Sequence, residues 1–135
     1  MMKNLLVLTL FFLSIFLLSC NDESFDEILI SGTLLNLNSG EAISDMLIRI
    51  EGYEEKIGCL RDDCDDTLVS TDLMRSSENG SFSILLTPDS RVDYFELTPD
   101  ISADGGLGFQ KCIINGVGPH YIDDLINVQL SLSCE

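Results

Sequence analysis

From Ile28 onward, apolar and polar residues alternate with a period of two, and short polar stretches interrupt the alternation. No apolar stripe of helical spacing runs for any length. The pattern predicts seven strands. The first covers 28–35, with Ile28, Ile30 and Leu34 on one face and Gly32 between them. The second covers 43–50, where Met46, Ile48 and Ile50 alternate with Leu47 and Arg49. A polar insert over 52–66 precedes the third strand, 67–74. In the turn 76–80, Asn79-Gly80 supplies the positive φ of a hairpin leading to the fourth strand, 81–86. Pro88-Asp89 turns the chain into a fifth strand, 92–98, which Pro99 stops. A Gly-rich loop, 103–108, leads to a sixth strand, 109–114, and a loop with Gly116, Gly118 and Pro119 follows. The seventh strand, 125–133, points Ile126, Val128, Leu130 and Leu132 inward and Asn127, Gln129 and Ser131 to water. Seven short strands without an internal repeat predict an all-β chain folded as one seven-strand β-sandwich over 28–135.

The chain before Ile28 follows a different pattern. Lys3 is its one early positive charge, and residues 5–18 are apolar except for Thr9 and Ser14. Fourteen residues make a helix of about 21 Å, too short for a bilayer core of roughly 30 Å and suited to a signal-peptide core. Leu17-Leu18-Ser19-Cys20 follows directly and resembles the lipobox of bacterial lipoproteins. That resemblance implies removal of residues 1–19, a diacylglyceryl group on the Cys20 thiol and acylation of the new amine. Two or three acyl chains on one residue anchor stably where one binds only marginally. Asn21-Asp22-Glu23 resembles the surface-export signals of Bacteroidetes lipoproteins. The other reading of 20–27 is a solvated acidic tether. The expected address is the outer membrane, lipid-anchored, with surface display if the export reading holds.

Within the strand region, Gly32, the run Ser39-Gly40-Glu41-Ala42-Ile43-Ser44-Asp45-Met46-Leu47-Ile48-Arg49-Ile50, the run Ser76-Ser77-Glu78-Asn79-Gly80-Ser81-Phe82-Ser83-Ile84, and Tyr94 to Leu97 resemble the carboxypeptidase regulatory-like family. Ala42 stands where the family commonly has Pro, Asp45 where it has Gly, and Ser76 where it has Thr. The resemblance covers about residues 28–98 and implies a transthyretin-like sandwich. Its motifs are turn and core residues, so it implies a fold and no catalytic residues.

Charge and cysteines narrow the function. The chain carries 23 acidic and 7 basic residues, for a formal charge of −16, and removing Lys3 with the leader makes the rest more acidic still. This excludes nucleic acid and anionic surfaces as partners, and favours solubility or cationic contacts. Four cysteines follow Cys20: Cys59, Cys64, Cys112 and Cys134. An even number in an exported protein predicts disulfides. Of three pairings, Cys59–Cys64 as a loop clamp and Cys112–Cys134 as a link between late strands are the expected ones. A zinc site is the rival, but Cys59-x4-Cys64 is wide for a zinc knuckle and the other two lack near neighbours.

Few residues suggest chemistry. Asp62, Asp63, Asp65 and Asp66 could together offer oxygen ligands to Ca²⁺, although their spacing is not that of an EF-hand loop. The alternative is a solvated acidic loop, and no other cofactor is expected. His120 is the only histidine, in a Gly/Pro loop, and no nucleophile-elbow sequence accompanies it. Asp66-Thr67-Leu68 resembles the O-glycosylation motif of Bacteroidetes exported proteins, with Thr67 as acceptor. Asn79-Gly80-Ser81 fits a sequon but reads as a turn. The sequence therefore predicts a non-enzymatic, lipid-anchored envelope lipoprotein whose sandwich binds or scaffolds a protein or glycan. The alternative is a calcium- or glycan-binding module using the acidic loop 61–66. Loops 52–66 and 103–108 are the expected contact regions.

Overall fold

The structure, a computed structural model, describes residues 26–58, 64–101 and 112–134. The leader, Cys20, Asn21-Asp22-Glu23, Cys59, Asp62, Asp63 and the loop 103–108 lie outside the described residues. The fold is all-β. Its strands are β1 (Ile28–Asn36), β2 (Leu47–Glu54), β3 (Thr67–Arg75), β4 (Ser81–Leu86), β5 (Tyr94–Pro99), β6 (Cys112–Asn115), β7 (His120–Tyr121) and β8 (Val128–Cys134). They form two four-stranded sheets, ordered β4-β1-β8-β6 and β3-β2-β5-β7. All neighbours run antiparallel except β1 and β8, which pair in parallel from Gly32↔Val128 to Asn36↔Leu132.

The two sheets share one hydrophobic core, in a sandwich-like arrangement. Ile30, Leu34, Phe82, Val128, Leu130 and Leu132 enter it from the first sheet, and Ile48, Ile50, Met74, Phe95 and Leu97 from the second. These are the period-two positions of the strands, because alternate side chains of a strand leave opposite faces. Each such side chain contributes about 1.5–3 kcal/mol on burial.

Several expectations shift. Eight strands are present among the described residues, because His120-Tyr121 pairs with β5. β2 starts at Leu47 and runs on through Gly52 to Glu54, into the expected insert. β8 starts at Val128, and Ile126 is 61% exposed. Asn127 takes φ +65°, which breaks the alternation and turns Ile126 outward.

The turn 76–80 is not a hairpin, since β3 and β4 belong to different sheets. It is a corner between sheets, organised by Ser76, which is 4% exposed. The Ser76 hydroxyl donates to the Ile43 carbonyl (2.8 Å) and accepts from the Met46 N–H (3.0 Å). Its N–H donates to the Met46 carbonyl, and its carbonyl accepts from Asp45 N–H. Gly80 alone in the turn has positive φ, +73°. A Cβ there would meet the Leu34 carbonyl oxygen at 2.6 Å and Ala42 Cβ at 3.0 Å.

The expected Cys112–Cys134 disulfide is present, joining paired positions of β6 and β8. Cys64 is also disulfide-bonded.

Candidate functional site

The acidic loop is tied down at its base. Asp65 is exposed and Thr67, also exposed, opens β3 opposite Glu54. Asp66 is spent within the fold. One carboxylate oxygen accepts from the Tyr94 hydroxyl (2.7 Å) and the other from the Lys56 N–H (3.1 Å). These two hydrogen bonds, the tyrosine's first, hold the Asp66 carboxyl below the usual carboxylate range. Among the described residues, no group of three or more His, Cys, Asp or Glu is placed to hold a metal ion.

Tyr94 is the centre of a row across the second sheet. Register sets Tyr53, Tyr94 and Tyr121 side by side on neighbouring strands. The Tyr53 and Tyr94 rings stack at 5.4 Å, and Tyr121 lies tilted at 6.0 Å. Burial first, then the bond to Asp66, pushes the Tyr94 phenol up from its ordinary value. Nearby, Asp93 accepts from Glu55 N–H (2.8 Å), and Asp89 holds Arg91 through two side-chain bonds of 2.9 and 3.0 Å. The Arg91 guanidinium lowers the Asp89 carboxyl to about 2. His120 is occupied too: its Nε2 donates to the Gly116 carbonyl (2.7 Å). The titratable groups at this end close loops.

The first sheet is of another kind. Its four strands read SFSILL, ILISGTLLN, VQLSLSC and CIIN, and not one of these residues is charged. Its outer face carries Ser81, Ser83 and Leu85 of β4 beside Thr33, Ser31 and Leu29 of β1, with Gln129 of β8 next in order. Small side chains at the paired positions Ser31↔Ser83 and Thr33↔Ser81 leave a shallow depression of about 500 Å³. Asn127 and Gln129 form its far side. Ser81 is engaged with Ser77 and Asn79 of the corner. Ser31, Thr33, Ser83, Asn127 and Gln129 make no side-chain hydrogen bond among the described residues. Leu29 and Leu85, 45% and 56% exposed, lie directly opposite each other at one end of the depression.

Such a face offers neutral donors and acceptors beside an apolar pair, so covering it would desolvate no charge of these strands. Reading charge over the whole chain hides it. Reading charge strand by strand would have found it. No helix among the described residues is long and apolar enough to cross a membrane. No family model, curated protein or solved structure matches this chain.

Proposed function

We propose that this chain is a non-enzymatic lipoprotein of the cell envelope, held to the outer membrane by lipid on Cys20. Its transthyretin-like sandwich then binds a neutral partner, protein or glycan, through the outer face of the β4-β1-β8-β6 sheet. The carrying observation is that four strands free of charge form one surface in a chain of formal charge −16. The apolar run ending in Leu17-Leu18-Ser19-Cys20 supports the anchor. The family resemblance draws support from the way its residues meet. A Cβ on Gly32 would collide with the Phe82 ring, Gly80 packs against Ala42, and Ser76 bonds Ile43 and Met46. Asp66 is not counted as a cation ligand in this reading, because its two carboxylate oxygens are committed to the Tyr94 hydroxyl and the Lys56 N–H.

The test has two arms. Metabolic labelling with an alkyne palmitate should mark the full chain and fail to mark Cys20→Ala. Failure to label the natural chain would remove the anchor. Thr33→Glu and Gln129→Glu should each abolish retention of the envelope partner while leaving the melting temperature within about 2 °C. Retention unchanged by both would move the site off this face.

A further inference from the structure

The strand ends that meet where β1 begins form one end of the sandwich. Residues 87–93 join the end of β4, opposite Ile28, to the start of β5. Residues 122–127 join β7 to the start of β8, and 55–66 join the end of β2, paired with the start of β5, to β3. The Ser31 N–H donates to the Leu125 carbonyl (3.0 Å) and holds 122–127 against β1. Ten large apolar side chains stand exposed among the described residues, and seven of them are at this end. Leu29 and Leu85 lie opposite each other on β1 and β4, and Ile122 and Ile126 lie on the way into β8. Ile57, Leu68 and Tyr121 are the others. Leu37, Leu73 and Ile113 sit on separate elements towards the far end. Single exposed apolar residues are ordinary, but their concentration on one end marks a contact surface.

What covers this end follows from where the preceding chain leads. Ile28 is eight residues beyond Cys20, a reach of at most about 28 Å even at full extension. A lipid on Cys20 therefore holds this end closer to the bilayer than the far one. The effective concentration of lipid there is on the order of millimolar or above, enough to populate a weak apolar contact. Charge chooses the kind of surface: Asp26, Glu27, Asp123 and Asp124 are exposed at the same end and repel an anionic one. We infer that this end of the sandwich rests on a zwitterionic bilayer, with Leu29, Leu85, Ile122 and Ile126 at the level of the headgroups and the carboxylates left in water. This contact presupposes the anchor on Cys20. It leaves the depression on the first sheet accessible, because Thr33 lies about 13 Å further along β1 than Leu29.

Fluorescence tests it, since the chain has no tryptophan and one introduced indole reports alone. The full lipid-bearing chain is placed in phosphatidylcholine vesicles whose acyl chains carry bromine, which quenches an indole that reaches it. Leu85→Trp should lose about two thirds of its emission relative to unbrominated vesicles, as a side chain seated at the headgroup and acyl boundary does. Leu37→Trp, equally a replacement of an exposed leucine but at the far end, should lose almost none. Adding Ile122→Ser and Ile126→Ser to Leu85→Trp should at least halve the quenching with an unchanged melting temperature. Vesicles made half of phosphatidylglycerol should also weaken it at low salt, and added salt should restore it. Flotation with the vesicles reads the anchor separately. A chain that does not float removes the anchor and this contact together. A chain that floats with Leu85→Trp unquenched, or with positions 37 and 85 quenched alike, overturns the contact alone. Quenching that strengthens on the anionic vesicles would overturn the zwitterionic surface.

Discussion

The two sheets share a core and a strand number, yet their outward surfaces follow opposite rules. On the β3-β2-β5-β7 sheet, Arg49 sits between Glu51 (3.7 Å) and Asp100 (3.5 Å), Tyr94 is anchored by Asp66, and charges punctuate every strand but the shortest, which carries His120. On the β4-β1-β8-β6 sheet no strand residue is charged. Exposed ion pairs contribute about 0–1 kcal/mol, so the first pattern does little for stability and much for solubility. The second pattern leaves stability to packing and covalent linkage, and leaves the surface free for contact. A net charge taken over the whole chain averages these into one acidic protein and loses the contrast.

The largest expected break falls on the uncharged sheet. Gly32 lies where β1 meets both β4 and β8, and a Cβ there would collide with the Val128 carbonyl oxygen and the Phe82 ring. Gly32→Val should cost about 3–4 kcal/mol, read as a lower urea midpoint at unchanged slope. Gly40→Ala is the control. Gly40 has φ +70° with nothing near its would-be Cβ, so backbone strain alone should cost about 1–2 kcal/mol. Equal losses at the two positions would mean that crowding at Gly32 is not what fixes this sheet.

Replacing Cys112 and Cys134 together by serine should cost about 3 kcal/mol, because the bond closes a loop between residues 22 apart. Amide exchange should then quicken in β6 and β8 before β2 and β3. Uniform quickening would show that the two sheets open as one unit and share their stability.

What could be read beforehand follows from range. Strand identities lie in local alternation, and seven of the eight strands overlap segments predicted from it, the two-residue β7 being the exception. Cys112–Cys134 was legible because an even number of cysteines follows Cys20 and this pair brackets the late strands. Ile126 was misassigned because an unbroken period of two was carried through Asn127, whose left-handed backbone no alternation reveals. The corner at Ser76 looked like a hairpin because Asn79-Gly80 has the right local chemistry. That the flanking strands part into different sheets depends on Ser76 reaching Ile43 and Met46, about thirty positions earlier. The tyrosine row is the same case: Tyr53, Tyr94 and Tyr121 are far apart in sequence and meet only through strand order.

The charged sheet offers a smaller and more diagnostic break. Tyr94→Phe removes one hydroxyl and should cost about 1 kcal/mol near neutral pH. Its signature is the pH dependence of the difference from the natural chain. The Asp66 carboxyl is depressed by the Tyr94 hydroxyl and the Lys56 N–H, so its contribution is present above the unfolded value near 3.9 and lost as pH falls through the folded one. The Tyr94 phenol is raised by burial and by Asp66, so its contribution is present below an unfolded value of about 10 and lost as pH rises through the folded one. The natural-minus-variant difference should therefore form a plateau between about pH 4 and pH 10 and decline on both sides. Asp89, lowered to about 2 by its hydrogen bonds to Arg91, should titrate identically in both proteins and cancel from the difference. A difference near zero at every pH would mean that Tyr94 stabilises its sheet through ring packing with Tyr53 and Tyr121, which phenylalanine keeps. The two sheets would then both be held by packing, and would differ only in the charge on their surfaces.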